Sequence, residues 1–215
     1  AGHEVGSHGW DHKKPMKMSL PQFSNDIIKS KKNLQEIIGS KVSGYRAPCF
    51  SMDRPRLDIV KASGFEYDSS RITFSDHPLY GQIDLDGFET VYENIFRCHD
   101  FFEFQVSTQN FLNKNIPVSG GGYVRIFPWL IMKRLISKYL DNSELYVFYI
   151  HPFEFSTKAA PSVPGSSIAN KLRFTQGLST VPNKFNSLIN LLKVKGFKFS
   201  TFTSLREELI NAKKL

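Results

Sequence analysis

The stretch VSGYRAPCFSMDRPRLDIVKASGFEYD, residues 42–68, decides the fold. Val42 to Arg46 reads as a short buried strand ending in Pro48. Arg54 to Ser63 has helical spacing of apolar residues and is closed by Gly64, which reads as a helix. Phe65 to Asp68 returns to an extended pattern. Strand, helix, strand at this spacing predicts parallel pairing and an α/β domain, in which the loops after strand C-termini carry the chemistry.

Working upstream, Ser19 to Ile38 places Phe23, Ile27, Ile28, Leu34, Ile37 and Ile38 close to a 3.6-residue period. Ser19 is set to cap this helix, Pro21 lies in its first turn and Gly39 stops it. Downstream, residues 80–117 change to short alternating segments such as Phe88 to Tyr92 and Phe101 to Val106, which predict a β-rich insertion. Ser119-Gly120-Gly121-Gly122 reads as a flexible turn before an amphipathic stretch from Phe127 to Leu140. Leu145 to Ile150 is a nearly continuous apolar run and predicts a buried strand that delivers His151-Pro152. Pro161 to Ser167 reads as a surface loop, Asn183 to Lys195 as a helix, Phe197 to Thr201 as a strand, and a short helix closes the chain. With 215 residues, no repeat and no linker, a single domain is expected.

Composition narrows the class. Apolar residues are 40% and charged residues 22%, ordinary for a globular chain and unlike a disordered or collagenous one. Nineteen Phe and eight Tyr suit a strand-rich core, and some of these rings suit a ligand cleft. The formal charge of +8 is spread over apparent helix faces, and no nucleic-acid motif uses it. Cys49 and Cys98 are too few for a disulfide framework or a cysteine zinc site. No run of about 18 apolar residues occurs, so no membrane-spanning helix is expected in this stretch. The compartment stays open.

Chemistry concentrates at the N-terminus. Gly2-His3-Glu4-Val5-Gly6-Ser7-His8-Gly9-Trp10-Asp11-His12 holds three His and two carboxylates in eleven residues. His8 and His12 are four apart, so a helix or tight turn aims both imidazoles to one side, where they can share a divalent metal. Gly6 and Gly9 permit such a turn. An isolated pair at this spacing also arises by chance, as an exposed His-rich loop.

Three segments in order resemble the NodB-type polysaccharide deacetylases. Ser7-His8 through His12 is similar to their metal-binding motif, Arg46-Ala47-Pro48 with Phe50 to their Arg-x-Pro motif, and Leu145 to His151-Pro152 to the strand that presents the catalytic His. Gly44-Tyr45-Arg46-Ala47-Pro48, Gly120-Gly121-Gly122-Tyr123-Val124-Arg125 and His151-Pro152-Phe153-Glu154 resemble the subgroup associated with bacterial exopolysaccharide loci.

The resemblance implies a distorted (β/α) barrel lacking its first strand or strands. It also implies a hydrolase of carbon–nitrogen bonds that deacetylates N-acetylhexosamine units of a bacterial exopolysaccharide or cell-wall glycan. One divalent metal ion is implied, zinc first, with cobalt, manganese or nickel as alternatives, on His8 and His12. Arg46 would orient the base, Cys49 would lend its backbone N–H to the oxyanion, His151 would protonate the leaving nitrogen and Asp68 would orient His151. Read without the family, Arg46 is an Arg in a structural ion pair and His151 a core histidine ending an apolar strand. Trp10, Tyr123, Trp129 and Phe153 are candidates to stack on sugar rings, with core packing the default for Trp129 and the cleft favoured for Tyr123. His77 and His99 have no partner pattern.

One departure stands out: the family's first motif carries an Asp base and an Asp ligand, and no Asp precedes His8. Glu4 lies too near His8 to replace them. The sequence is therefore read as N-terminally truncated, with weak or no activity expected of this stretch alone. Two rival readings remain: allantoinase-like hydrolysis of a small amide, and a non-catalytic glycan-binding module that lacks the base.

Overall fold

A computed structural model describes residues 2–74, 80–156 and 175–212. His77 and the expected loop from Pro161 to Ser167 lie outside the described residues. The chain divides into two compact units, Ala1–Val106 with Phe199–Leu215, and Ser107–Lys198.

The first unit is built on strands β1 (Gly44–Tyr45), β2 (Tyr67–Asp68), β3 (Glu89–Tyr92), β4 (Ile95–Cys98) and β5 (Phe101–Phe104), in the order β1-β2-β5-β4-β3. β1, β2 and β5 run parallel, while β5-β4-β3 is an antiparallel meander. Residues 89–104 thus join the main sheet through β5. Ser7 extends it on the other side by a parallel bridge to Tyr45. The resulting row Ser7, Tyr45, Asp68, Glu103 crosses the sheet at one level. The expected strand at Val42 to Arg46 is regular only at Gly44–Tyr45.

Helix α1 (Leu20–Ile38) forms as its caps demand. Ser19 Oγ accepts from the Gln22 N–H, Gln22 Oε1 accepts from the Ser19 N–H at 2.9 Å, and Gly39 ends the helix. Helix α2 (Arg54–Ala62) starts where the Asp53 carboxylate accepts the Arg56 N–H at 3.1 Å. Phe23 and Ile27 of α1 pack with Val42, Tyr45, Leu57, Val60 and Phe65. Each such buried Phe or Ile contributes about 1.5–3 kcal/mol over exposure.

The second unit holds the hairpin β6 (Thr108–Phe111) and β7 (Lys114–Pro117), then α3 (Gly121–Ile126), α4 (Trp129–Leu140) and α5 (Val181–Val194). Met132, Leu135 and Ile136 of α4 pack with Val124 of α3 and with Leu188 and Leu192 of α5. Pro128 separates α3 from α4, so the predicted amphipathic stretch begins as a helix at Trp129. The glycine run is no loose turn, because Gly120 bridges Tyr149 and Gly121 opens α3.

Two strand expectations are corrected. Leu145 to Ile150 is extended but forms only the bridge at Tyr149, because its backbone is engaged by irregular partners: Val147 N–H donates to Ser107 Oγ at 2.9 Å and Tyr149 N–H to the Ser119 carbonyl at 2.8 Å. Phe197 to Thr201 forms no strand; Phe199 is 58% exposed, so there is no buried face to drive pairing. The closing helix α6 (Phe202–Ala212) belongs to the first unit. Among the described residues no helix is long and apolar enough to cross a membrane.

Candidate active site

The parallel strand ends of the first unit gather most of the residues singled out above. His8 follows Ser7, Arg46 follows Tyr45, and Asp68 ends β2. The His8–His12 segment is a bent chain, not a helix, with φ of +79° at Gly9 and +55° at His12. A Cβ at Gly9 would stand 3.0 Å from the Asp26 carboxylate, so space and backbone both favour glycine there. The bends bring the His8 and His12 rings together at 5.0 Å between centroids.

Nδ1 of His8 lies 2.6 Å from the Arg46 carbonyl oxygen. A carbonyl only accepts, so Nδ1 carries the proton and Nε2 the lone pair, the arrangement a metal-ligating histidine adopts. The two imidazoles thus fit two positions around a divalent cation. Among the described residues no group of three His, Cys, Asp or Glu stands close enough to hold a metal, so no third ligand is assigned.

Arg46 is anchored through its side chain as well. Nε donates to the Ser69 carbonyl at 2.8 Å and Nη2 to Ser69 Oγ at 2.6 Å. The next residues form a 3-10 turn, Pro48–Phe50, in which Cys49 and Phe50 both have left-handed φ, +56° and +52°. Two such residues in a row store backbone strain, on the order of 1–3 kcal/mol each. The turn commits the Phe50 and Ser51 N–H groups to the Ala47 and Pro48 carbonyls, which leaves the Cys49 N–H as its candidate oxyanion donor.

Beneath Arg46 lies a pair of acids, of which only Asp68 was legible in advance. Asp68 and Glu103 are adjacent across β2 and β5 and fully buried. Asp68 accepts from the Ser70 hydroxyl at 2.8 Å and the Ser70 N–H at 3.0 Å. Glu103 Oε1 accepts from the Ser70 and Arg71 N–H groups at 3.1 and 2.9 Å. Burial pushes the Glu103 carboxyl well above the usual carboxylate range, and the Asp68 charge adds to the shift. Burial raises Asp68 too, against hydrogen bonds from Glu103 and Ser70 and the charge of Arg46. Burial and the Asp68 charge together favour the protonated form of Glu103 over two ionised carboxylates side by side. The signal for Glu103 was an acid alone in the aromatic run Phe101-Phe102-Glu103-Phe104.

Trp10 is 41% exposed, with Lys29 Nζ 4.0 Å from its ring centre on one face. Tyr123 and Trp129 pack against the core of the second unit. His151 is in that unit too, where Pro152 opens a 3-10 turn, Pro152–Phe155. The carboxylate at its imidazole belongs to Glu154, with Oε2 3.4 Å from Nδ1. Asp68 is in the first unit, where it accepts from the Ser70 hydroxyl and N–H.

Comparison with known proteins divides the chain near Asp68. Residues 1–67 match the polysaccharide deacetylase family model, and residues 69–207 match one described as a domain of unknown function (DUF3473). A peptidoglycan deacetylase of Helicobacter pylori is 31% identical over 83 residues, covering 39% of this chain and 28% of that protein. A solved chain from Mycobacterium smegmatis that carries the polysaccharide deacetylase designation superposes with a TM-score of 0.57 at 17% identity, over all of this chain and 65% of that one. The α/β deacetylase-type fold read from the sequence is therefore shown. The chain spans under two thirds of the length of either relative.

Proposed function

Because this chain belongs through residues 69–207 to the family described as a domain of unknown function (DUF3473) and matches polysaccharide deacetylases through residues 1–67, we propose that it acts in metal-dependent removal of acetyl groups from N-acetylhexosamine units of a bacterial exopolysaccharide or cell-wall glycan. The observation that carries the reading is the hydrogen bond from His8 Nδ1 to the Arg46 carbonyl. It ties the two motifs together and leaves a metal-binding tautomer beside His12.

The reaction adds water to the acetyl carbonyl, breaks the C–N bond and releases acetate and an amine. A divalent cation on His8 and His12, zinc first, would polarise that carbonyl and lower the pKa of bound water toward about 7. Arg46, fixed by Ser69, supplies a permanent positive charge to orient and keep ionised the carboxylate base, which is assigned to no residue here. The Cys49 N–H donates to the oxyanion, Trp10 offers an aromatic face to a sugar ring, and His151 protonates the departing nitrogen.

The test measures acetate released from chitooligosaccharides and peptidoglycan fragments by the natural full-length protein, with allantoin as the small-amide control. His8→Ala and His12→Ala are expected to lower affinity for zinc by about tenfold or more. His151→Ala is expected to retain the metal and slow turnover by about a hundredfold. Equal metal content in the parent and both histidine variants would remove the metal site. Glycan binding without acetate release would make the chain a binding module.

A further inference from the structure

The second unit contains a chain of three charged or titratable side chains that runs from its interior to its surface. Glu154 is 1% exposed and Arg125 is 6% exposed, with Arg125 Nε 3.5 Å from Glu154 Oε1. The other oxygen, Oε2, accepts the His151 backbone N–H at 2.9 Å and stands 3.4 Å from Nδ1 of the imidazole. The imidazole end is open, with the His151 side chain 59% exposed.

Local sequence explains the geometry. Pro152 sets the φ that starts the 3-10 turn, and the Glu154 N–H returns to the His151 carbonyl at 3.0 Å, which brings the acid's side chain back to the histidine. Room for the carboxylate is made by Gly121, where a Cβ would stand 2.3 Å from Oε2. A buried carboxylate is tolerated only with compensating partners, and Arg125 and the His151 N–H provide them. The carboxylate is thus fixed from behind before it meets the ring.

We propose that Glu154, held by Arg125, is the positioning residue for His151: it fixes the ring and keeps the proton on Nδ1, so that Nε2 is the nitrogen that exchanges protons with substrate. This rests on the reading of His151 as the acid. A carboxylate at Nδ1 does both jobs, since it accepts only from the Nδ1–H form.

Histidine-selective nitrogen-15 labelling of the 215-residue chain tests it, at a pH where the ring is neutral, with the His151 signal identified by its loss in His151→Ala. The parent is expected to show the Nδ1–H tautomer at His151, and an Nε2–H tautomer overturns the proposal without any change to Glu154. Glu154→Gln has one oxygen to divide between Arg125 and His151, so kcat is expected to fall about tenfold with KM unchanged. His151→Ala slow with Glu154→Gln at parental kcat overturns the positioning role alone. His151→Ala at parental kcat overturns the acid assignment and this inference with it.

Discussion

Glu103 is the residue whose chemistry departs furthest from its sequence context. An acid between Phe102 and Phe104 reads as the outward face of a half-buried strand, yet every residue of β5 is buried. The strand lies between β2 and β4, and burial, with the Asp68 charge added to it, pushes the Glu103 carboxyl toward its neutral form. In the unfolded chain that carboxyl ionises near its ordinary value of 4.5, whereas the fold retains the proton well above it. Stability from the protonated group is therefore complete below the unfolded value and declines as pH rises toward the folded one. Glu103→Gln has no proton to lose, and its amide can donate to Asp68 while its oxygen accepts from Ser70 and Arg71. The variant should gain stability relative to the parent progressively as pH rises above the ordinary value of 4.5, read as paired urea midpoints across a pH series. A difference independent of pH would mean that Glu103 does not hold its proton above the ordinary range. The same pair bears on Arg46, because Ser70 joins Asp68 to the Ala47 N–H at 2.8 Å while Ser69 holds the guanidinium.

Among the elements, helices were legible and strands much less so, for a physical reason. A helix carries its own boundary signals within a few residues, as Ser19, Pro21 and Gly39 do for α1. That local origin makes the cap testable: Ser19→Ala should cost about 1 kcal/mol, seen as a lower denaturant midpoint with unchanged slope. Strands of two residues such as β1 and β2 hold no comparable pattern, since their identity depends on partners far along the chain. The apolar run Leu145 to Ile150 misled for that reason: hydrophobicity predicted burial, but pairing needed a regular neighbour that Ser107 and Ser119 do not provide. The candidate site was read in the same proportion. His8, Arg46 and His151 announce themselves by type and spacing, whereas Ser69, Ser70, Glu103 and Arg125 act only through contacts that the fold creates. Glu154 was within reach of a local argument, three residues after His151 and across a proline-initiated turn.

Over the whole molecule, the least legible feature is that the first unit is assembled from both ends of the chain. Glu4, too near His8 in sequence to look like a ligand, joins those ends: its carboxylate accepts from the Tyr67 hydroxyl and the Thr203 hydroxyl, both at 2.6 Å. Burial and this hydrogen bond together raise the Tyr67 phenol above its ordinary range, so it remains a donor at any working pH. Phe202 of α6 stacks on Phe104 at 4.7 Å and meets Tyr67 at 5.2 Å, while Arg206 donates to the Asp100 carbonyl. Phe104 follows Glu103 in β5, so α6 covers the face of the sheet opposite the acid pair. Phe202 is only half-buried, and truncating it removes apolar area and two ring contacts, for an expected loss of about 1–3 kcal/mol. The two tryptophans allow this to be read by unit, because Trp10 lies in the first and Trp129 in the second. In a Trp129→Phe background, where fluorescence reports Trp10 alone, Phe202→Ala should move the urea midpoint down. An unmoved Trp10 transition would detach the C-terminal helix from the stability of the sheet that carries His8, Arg46 and Asp68.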